Sequence, residues 1–95
     1  MAILVQLIFR SATQDQFNEL DLLVDRSMME AGGPPAGMMS HVVYPDADGF
    51  IVANVWATES EGRSFADDVL GPLATEVGLG SPESSLRSVW SFARP

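Results

Sequence analysis

The chain contains no cysteine, no lysine and a single histidine. Without thiols there can be no disulfide, no thiolate nucleophile and no thiol-ligated metal. One histidine and no cysteine also leave too few ligands for a zinc or non-haem iron centre, which leaves axial haem ligation by His41 as the one metal role open to these residues. The basic residues are Arg10, Arg26, Arg63, Arg87 and Arg94, scattered among 13 acidic ones, for a net charge of −8. Phosphate backbones and anionic membrane surfaces both require a basic stripe, so neither nucleic acid nor membrane is an expected partner. The longest apolar run, Ala2 to Val5 with a resumption after Gln6, is far too short to span a bilayer. The N-terminus carries no basic region or small-residue cleavage site, which argues against a signal peptide. Together with the missing cysteines, this makes the cytoplasm the expected location.

What is present describes one small globular domain covering 1–95. Hydrophobic residues make up 46% of the chain and charged residues 19%. A chain this short buries only about two-thirds of its unfolded surface. The mean hydropathy of +0.13 implies apolar surface left over for a partner or a ligand.

Residues 2–10, AILVQLIFR, read as a strand with two apolar faces: Ile3, Val5, Leu7 and Phe9 on one, Ala2, Leu4, Gln6 and Ile8 on the other. Residues 13–31 read as a helix. Thr13 and Gln16 form a capping-box pair, and Phe17, Leu20, Leu23, Val24, Met28 and Ala31 form its apolar stripe. Gly32-Gly33 and Pro34-Pro35 stop it. Residues 38–44 and 50–57 read as an antiparallel hairpin around Pro45–Gly49, with Gly49 free to take positive φ. Thr58 or Ser60 caps a second helix with the stripe Phe65, Val69, Leu73 and Val77 and with Ala66, Leu70 and Ala74 beside it, where Gly71-Pro72 predicts a kink or a new segment. Residues 86–93 read as a last strand, with Leu86, Ser88, Trp90 and Phe92 on one face.

The order β-α-β-β-α-β is the ferredoxin-like arrangement, an α+β fold with a four-stranded antiparallel sheet and two helices on one face. Two helices cover only one side of the sheet, and the strands are apolar on both. A second copy packed sheet to sheet, forming a homodimer, is the economical cover for the other side. A small molecule between the facing sheets is a further expectation of that arrangement.

His41, Asp48-Gly49, Val55-Trp56, Thr58-Glu59 opening a helix, Phe65 and Leu70-x-Pro72 together resemble the dimeric α/β-barrel superfamily, in its antibiotic-biosynthesis-monooxygenase-like branch. The resemblance covers the whole chain. It implies a ferredoxin-like subunit pairing into a dimeric barrel. It also implies chemistry on hydrophobic, aromatic or polyketide-like small molecules without a cofactor, in which a substrate anion itself reduces dioxygen. Redox-neutral cyclases and isomerases, and proteins without known activity, share the superfamily, and fold does not select among them.

Histidine is the side chain that changes charge near neutral pH. Alternation across the hairpin brings His41 to the face of Asn54 and Trp56. There His41 could take a proton from an acidic C–H or a phenol, and Asn54 could donate to the developing oxyanion. These two are the candidate catalytic residues. Trp56, Trp90, Tyr44 and Met38 are the candidate substrate contacts, and the Met-flanked Gly32–Gly37 loop is either a connector or a lid. Each aromatic also has a plain packing alternative, as does His41 a hydrogen-bonded structural one. Asp46-x-Asp48-Gly49 opens like a calcium loop but lacks its later acidic ligand. The leading expectation is a cofactor-free monooxygenase with His41 as base. A redox-neutral cyclase, dehydratase or isomerase in the same pocket, and a non-catalytic binding module, are the alternatives.

Overall fold

A computed structural model of the chain describes residues 2–92. The elements are β1 (Ala2–Phe9), α1 (Gln14–Glu30), β2 (Met38–Asp46), β3 (Gly49–Trp56), α2 (Glu59–Phe65), a π-helical turn (Ala66–Leu70), α3 (Gly71–Glu76) and β4 (Glu83–Val89). The four strands form one sheet in the order β2-β3-β1-β4, antiparallel throughout. This is the ferredoxin-like architecture. No helix among the described residues is long and apolar enough to cross a membrane.

α1 begins and ends on local chemistry. The Thr13 hydroxyl accepts from the Gln16 amide at 3.2 Å, and the Gln16 side-chain oxygen accepts from the Thr13 amide at 3.0 Å, completing the capping box. At the other end Gly33 donates to Met28 and Gly32 to Met29, and Gly32 takes φ +96°. That pair of bonds is a Schellman closure, which the left-handed backbone at Gly32 permits.

One face of the sheet is buried beneath the helices. Val5, Leu7 and Phe9 of β1 and Phe50, Val52, Asn54 and Trp56 of β3 lie on it, packed with Leu20, Val24, Phe65, Leu70 and Ala74. The other face carries Leu4, Ile8, Ile51, Ala53, Val55 and Val42, with Val42 half exposed.

Three expectations are corrected. The hairpin turn is only Ala47-Asp48, and Ala47 rather than Gly49 takes the positive φ, at 45°. Gly49 is needed for another reason: a Cβ there would stand 1.8 Å from the carbonyl oxygen of Phe9. β4 starts at Glu83 and ends at Val89, because β1 supplies backbone partners only from Ile8↔Glu83 to Ala2↔Val89. The Arg10–Glu83 ion pair, 2.9 Å apart, marks its start. Trp90 and Phe92 therefore lie beyond the strand, and Ala93, which ended the expected one, is outside the described residues.

The third correction concerns the second helix. Pro72 has no amide hydrogen, and its ring in a regular helix would strike the carbonyl four residues back. The chain inserts a π turn just before it, in which Gly71 donates to Ala66 five residues back. The extra residue rotates everything downstream. Phe65, Leu70, Ala74 and Val77 become the buried stripe, while Val69 and Leu73 are only half buried.

Candidate active site

β2 is an edge strand, and its odd-numbered residues from His41 face the helices. His41 pairs across the sheet with Asn54. Its Nδ1 lies 2.5 Å from the Asn54 Oδ1. An amide oxygen only accepts, so Nδ1 carries the proton and donates it. In the neutral imidazole this leaves the lone pair on Nε2. Asn54 is 1% exposed, whereas His41 is exposed. The amide is thus a fixed buried anchor, and the imidazole reaches outward from it.

His41 lines a crevice of about 10 Å³, room for one water, with Phe17, Leu20, Asp21, Val24, Val43, Val52 and Leu70. A larger cavity of about 470 Å³ adjoins it toward the hairpin turn. Phe17 and Val43 line both spaces. Val43 lies on the same face of β2 as His41, roughly 7 Å along the strand. Phe50 completes an aromatic floor: its ring stacks on Phe9 at 5.0 Å and meets Phe17 edge-on at 5.5 Å. The Thr13 and Asp48 side form the rim, where the Asp48 carboxylate accepts from the Ser11 amide and hydroxyl. A volume of this size holds a small aromatic ligand.

Of the six candidate residues, the structure brings His41 and Asn54 together. Both stand on the helix-covered face, so a ligand held between two facing sheets would not reach them. The Asn54 oxygen accepts from the imidazole and so anchors His41, while the expected oxyanion-donor role concerns its amide nitrogen, which that bond does not use. Trp56 is fully buried, pairs with Met38 and packs on Phe65 with ring centroids 5.3 Å apart. Its indole nitrogen has no hydrogen-bond partner. Trp56 borders a separate 240 Å³ hollow beneath Pro35 and Ala36, so the Gly-Pro loop covers Trp56 and not His41. Tyr44 is at the rim of the aromatic cavity, yet its hydroxyl is on the free face, accepting from Gln6 at 3.3 Å. Trp90 is 93% exposed, near Ala2, Met39, Val89 and Phe92.

Sequence reasoning missed Asp21. It lies four residues after Phe17 and three before Val24, so helical spacing places a carboxylate at the edge of the apolar stripe, where it shares the His41 crevice. Among the described residues no cluster of three or more His, Asp or Glu side chains could hold a metal ion.

No family model matches the sequence, and no curated protein matches it. Solved structures do. SnoaB, a cofactor-independent oxygenase from Streptomyces nogalater, is 16% identical, with a TM-score of 0.63 over 96% of this chain and 94% of its own. A proposed antibiotic biosynthesis monooxygenase from Chloroflexus aurantiacus is 17% identical, with a TM-score of 0.65 over 99% of this chain and 98% of its own. Another, from Deinococcus radiodurans, is 12% identical, with a TM-score of 0.61 over 100% of this chain and 98% of its own. The chain has the ferredoxin-like fold of the antibiotic-biosynthesis-monooxygenase-like proteins. At this identity the likeness is one of fold.

Proposed function

We propose that this protein is a cytoplasmic, cofactor-independent monooxygenase of a hydrophobic, aromatic, polyketide-like small molecule, with His41 as its base. The observation that carries the proposal is the His41–Asn54 bond beside an aromatic cavity. Asn54 holds the Nδ1 proton, so Nε2 is free to accept one from an acidic methylene or phenol at the cavity edge. The resulting carbanion passes one electron to dioxygen, and the radical pair combines to a hydroperoxide. Loss of water then leaves a carbonyl, so CH₂ and O₂ become C=O and H₂O. The apolar walls exclude water from the anion. The similarity in fold to a cofactor-independent oxygenase supports the reading.

The test is oxygen-electrode measurement with anthrone, a three-ring ketone whose methylene is acidic. Wild type is expected to consume dioxygen and yield anthraquinone, and His41→Gln to lose that activity while keeping its melting temperature. Equal uptake by both proteins refutes the role of His41. Asp21 favours a second reading: a carboxylate sharing the crevice with an imidazole suits a proton taken from one carbon and returned to another, without dioxygen. Binding without turnover of either kind would indicate the non-catalytic module.

The protein is further proposed to be a homodimer through its free sheet face, where Val42 is 50% exposed above Ile51 and Ala53. Sedimentation velocity tests this, and a monomer at micromolar concentration refutes it.

A further inference from the structure

A second cavity of about 500 Å³ lies on the same face of the sheet, between α3 and the edge formed by β1 and β4. Its walls include Phe9, Leu86 and Ala74, with Ser84 at the β4 side. One residue, Leu70, lines both this cavity and the crevice of His41. Phe17 and Val43 join that crevice to the aromatic cavity. Two cavities thus lie toward opposite ends of the packed helix–sheet layer, with the imidazole crevice between them, and Leu70 is the residue that borders both the crevice and the cavity on the β4 side.

Leu70 is there because of the π turn. A regular helix would bury Val69 and Leu73, and the inserted residue turns Leu70 inward instead, to 2% exposure. A π turn is a locally irregular feature that clusters at functional sites. Here it aims one branched side chain at the border of crevice and cavity.

We propose that Leu70 is a specificity-determining residue: it closes the 500 Å³ cavity off from His41 and so limits the length of the fused-ring substrate the site accepts. This rests on the aromatic-cavity reading above. With Leu70 in place, a ring system that enters from the side of Phe17 and Phe50 meets Leu70 beyond the crevice of His41. With a shorter side chain, the far end of a longer ring system extends into the cavity walled by Leu86.

The experiment is anaerobic equilibrium binding, followed by quenching of protein fluorescence, with anthrone and its four-ring homologue naphthacenone as probes. Wild type is expected to bind anthrone at least about tenfold more tightly than naphthacenone. Leu70→Ala is expected to bring the two within about threefold of each other. Leu70→Val, a milder change that spares the core, is expected to move the ratio in the same direction. Adding Ser84→Trp, which fills the far cavity, is expected to restore discrimination. A wild-type ratio that persists in folded Leu70→Val and Leu70→Ala overturns the inference. So does a gain that Ser84→Trp leaves untouched. If wild type binds neither probe, the aromatic-cavity reading fails and this inference with it. If it binds anthrone but Leu70 does not affect the ratio, only this inference fails. Because dioxygen is absent, the outcome does not depend on His41 acting as a base.

Discussion

Replacing Asn54 with leucine should separate stability from function. Leucine has the same number of side-chain heavy atoms and the same branch point. The substitution removes a hydrogen bond whose net worth is about 1 kcal/mol. His41 is exposed, so water can take over its Nδ1 proton and no buried donor is orphaned. The site itself is 1% exposed and lies among apolar side chains. Burying a leucine there contributes about 1.5–3 kcal/mol, against which the tetrahedral branch costs roughly 1–3 kcal/mol in packing. These opposing terms leave the folded state within about 1 kcal/mol of wild type, a melting shift of no more than about 4–8 °C. Asn54→Ala loses the same bond and leaves a hole, and should cost about 2 kcal/mol. Activity should respond quite differently. A positioned general base contributes on the order of 10²–10⁴ in rate. Without the Asn54 oxygen the imidazole is free to rotate and to change tautomer, so both variants should lose about 100-fold or more in kcat. KM should change little, since Asn54 lines neither the crevice nor the aromatic cavity. The assays are anthrone-dependent dioxygen uptake and urea unfolding followed by tryptophan emission. Trp56 is fully buried and Trp90 is 93% exposed, so the emission change on unfolding comes from Trp56. Retention of kcat by Asn54→Leu would refute the anchoring argument. A loss of stability above about 3 kcal/mol would show that the amide belongs to a structural network.

Other expectations concern the frame around the site. Gly49→Ala should destabilise by on the order of 3 kcal/mol, because its methyl would overlap the Phe9 carbonyl oxygen and force β1 from β3; an unchanged melting temperature would contradict this. Thr13→Ala should cost about 1 kcal/mol by removing the capping box, and Thr13→Ser should recover most of it, as measured by urea unfolding. The Arg10–Glu83 pair sits at the start of β4. The hydrogen bond and then the charge of Arg10 hold the Glu83 carboxyl below its ordinary range, and the same contacts raise Arg10. A lowered carboxyl stabilises the folded state above the ordinary carboxylate range and ceases to do so as pH falls through its own lowered value. The stability difference between wild type and Glu83→Gln should therefore be greatest near neutral pH, vanish in acid and shrink with added salt, since both groups are exposed. A difference that grows in acid would contradict the assignment.

Much of this molecule is legible in its residues because it depends on neighbours along the chain. The Thr13–Gln16 box, the Gly32-Gly33 stop, the Thr58 cap and the hairpin between β2 and β3 are all local, and all occur where the spacing places them. Strand alternation was enough to place His41 and Asn54 on one face, because a hairpin with so short a turn permits few registers. The free face of the sheet is likewise legible, from strands apolar on both sides.

What the tertiary structure decided is everything that depends on which surface meets which. Serines and a glutamate form the first half of β4 because β1 offers them hydrogen bonds, a property of the partner strand and not of their own propensity. Trp90 and Tyr44 resemble pocket residues by type, but pairing places Trp90 beyond the strand and turns the Tyr44 hydroxyl to the opposite face, with Tyr44 left at the cavity rim. Pro72 signals a disturbance without saying how the backbone resolves it. The choice of a π turn, and with it the burial of Leu70 in place of Val69, comes from packing the helix on the sheet. Even the location of the candidate site, under the helices and not between two sheets, was settled by which face of β2 α1 covers. Side-chain periodicity specifies faces, but only the assembled layers specify what each face touches.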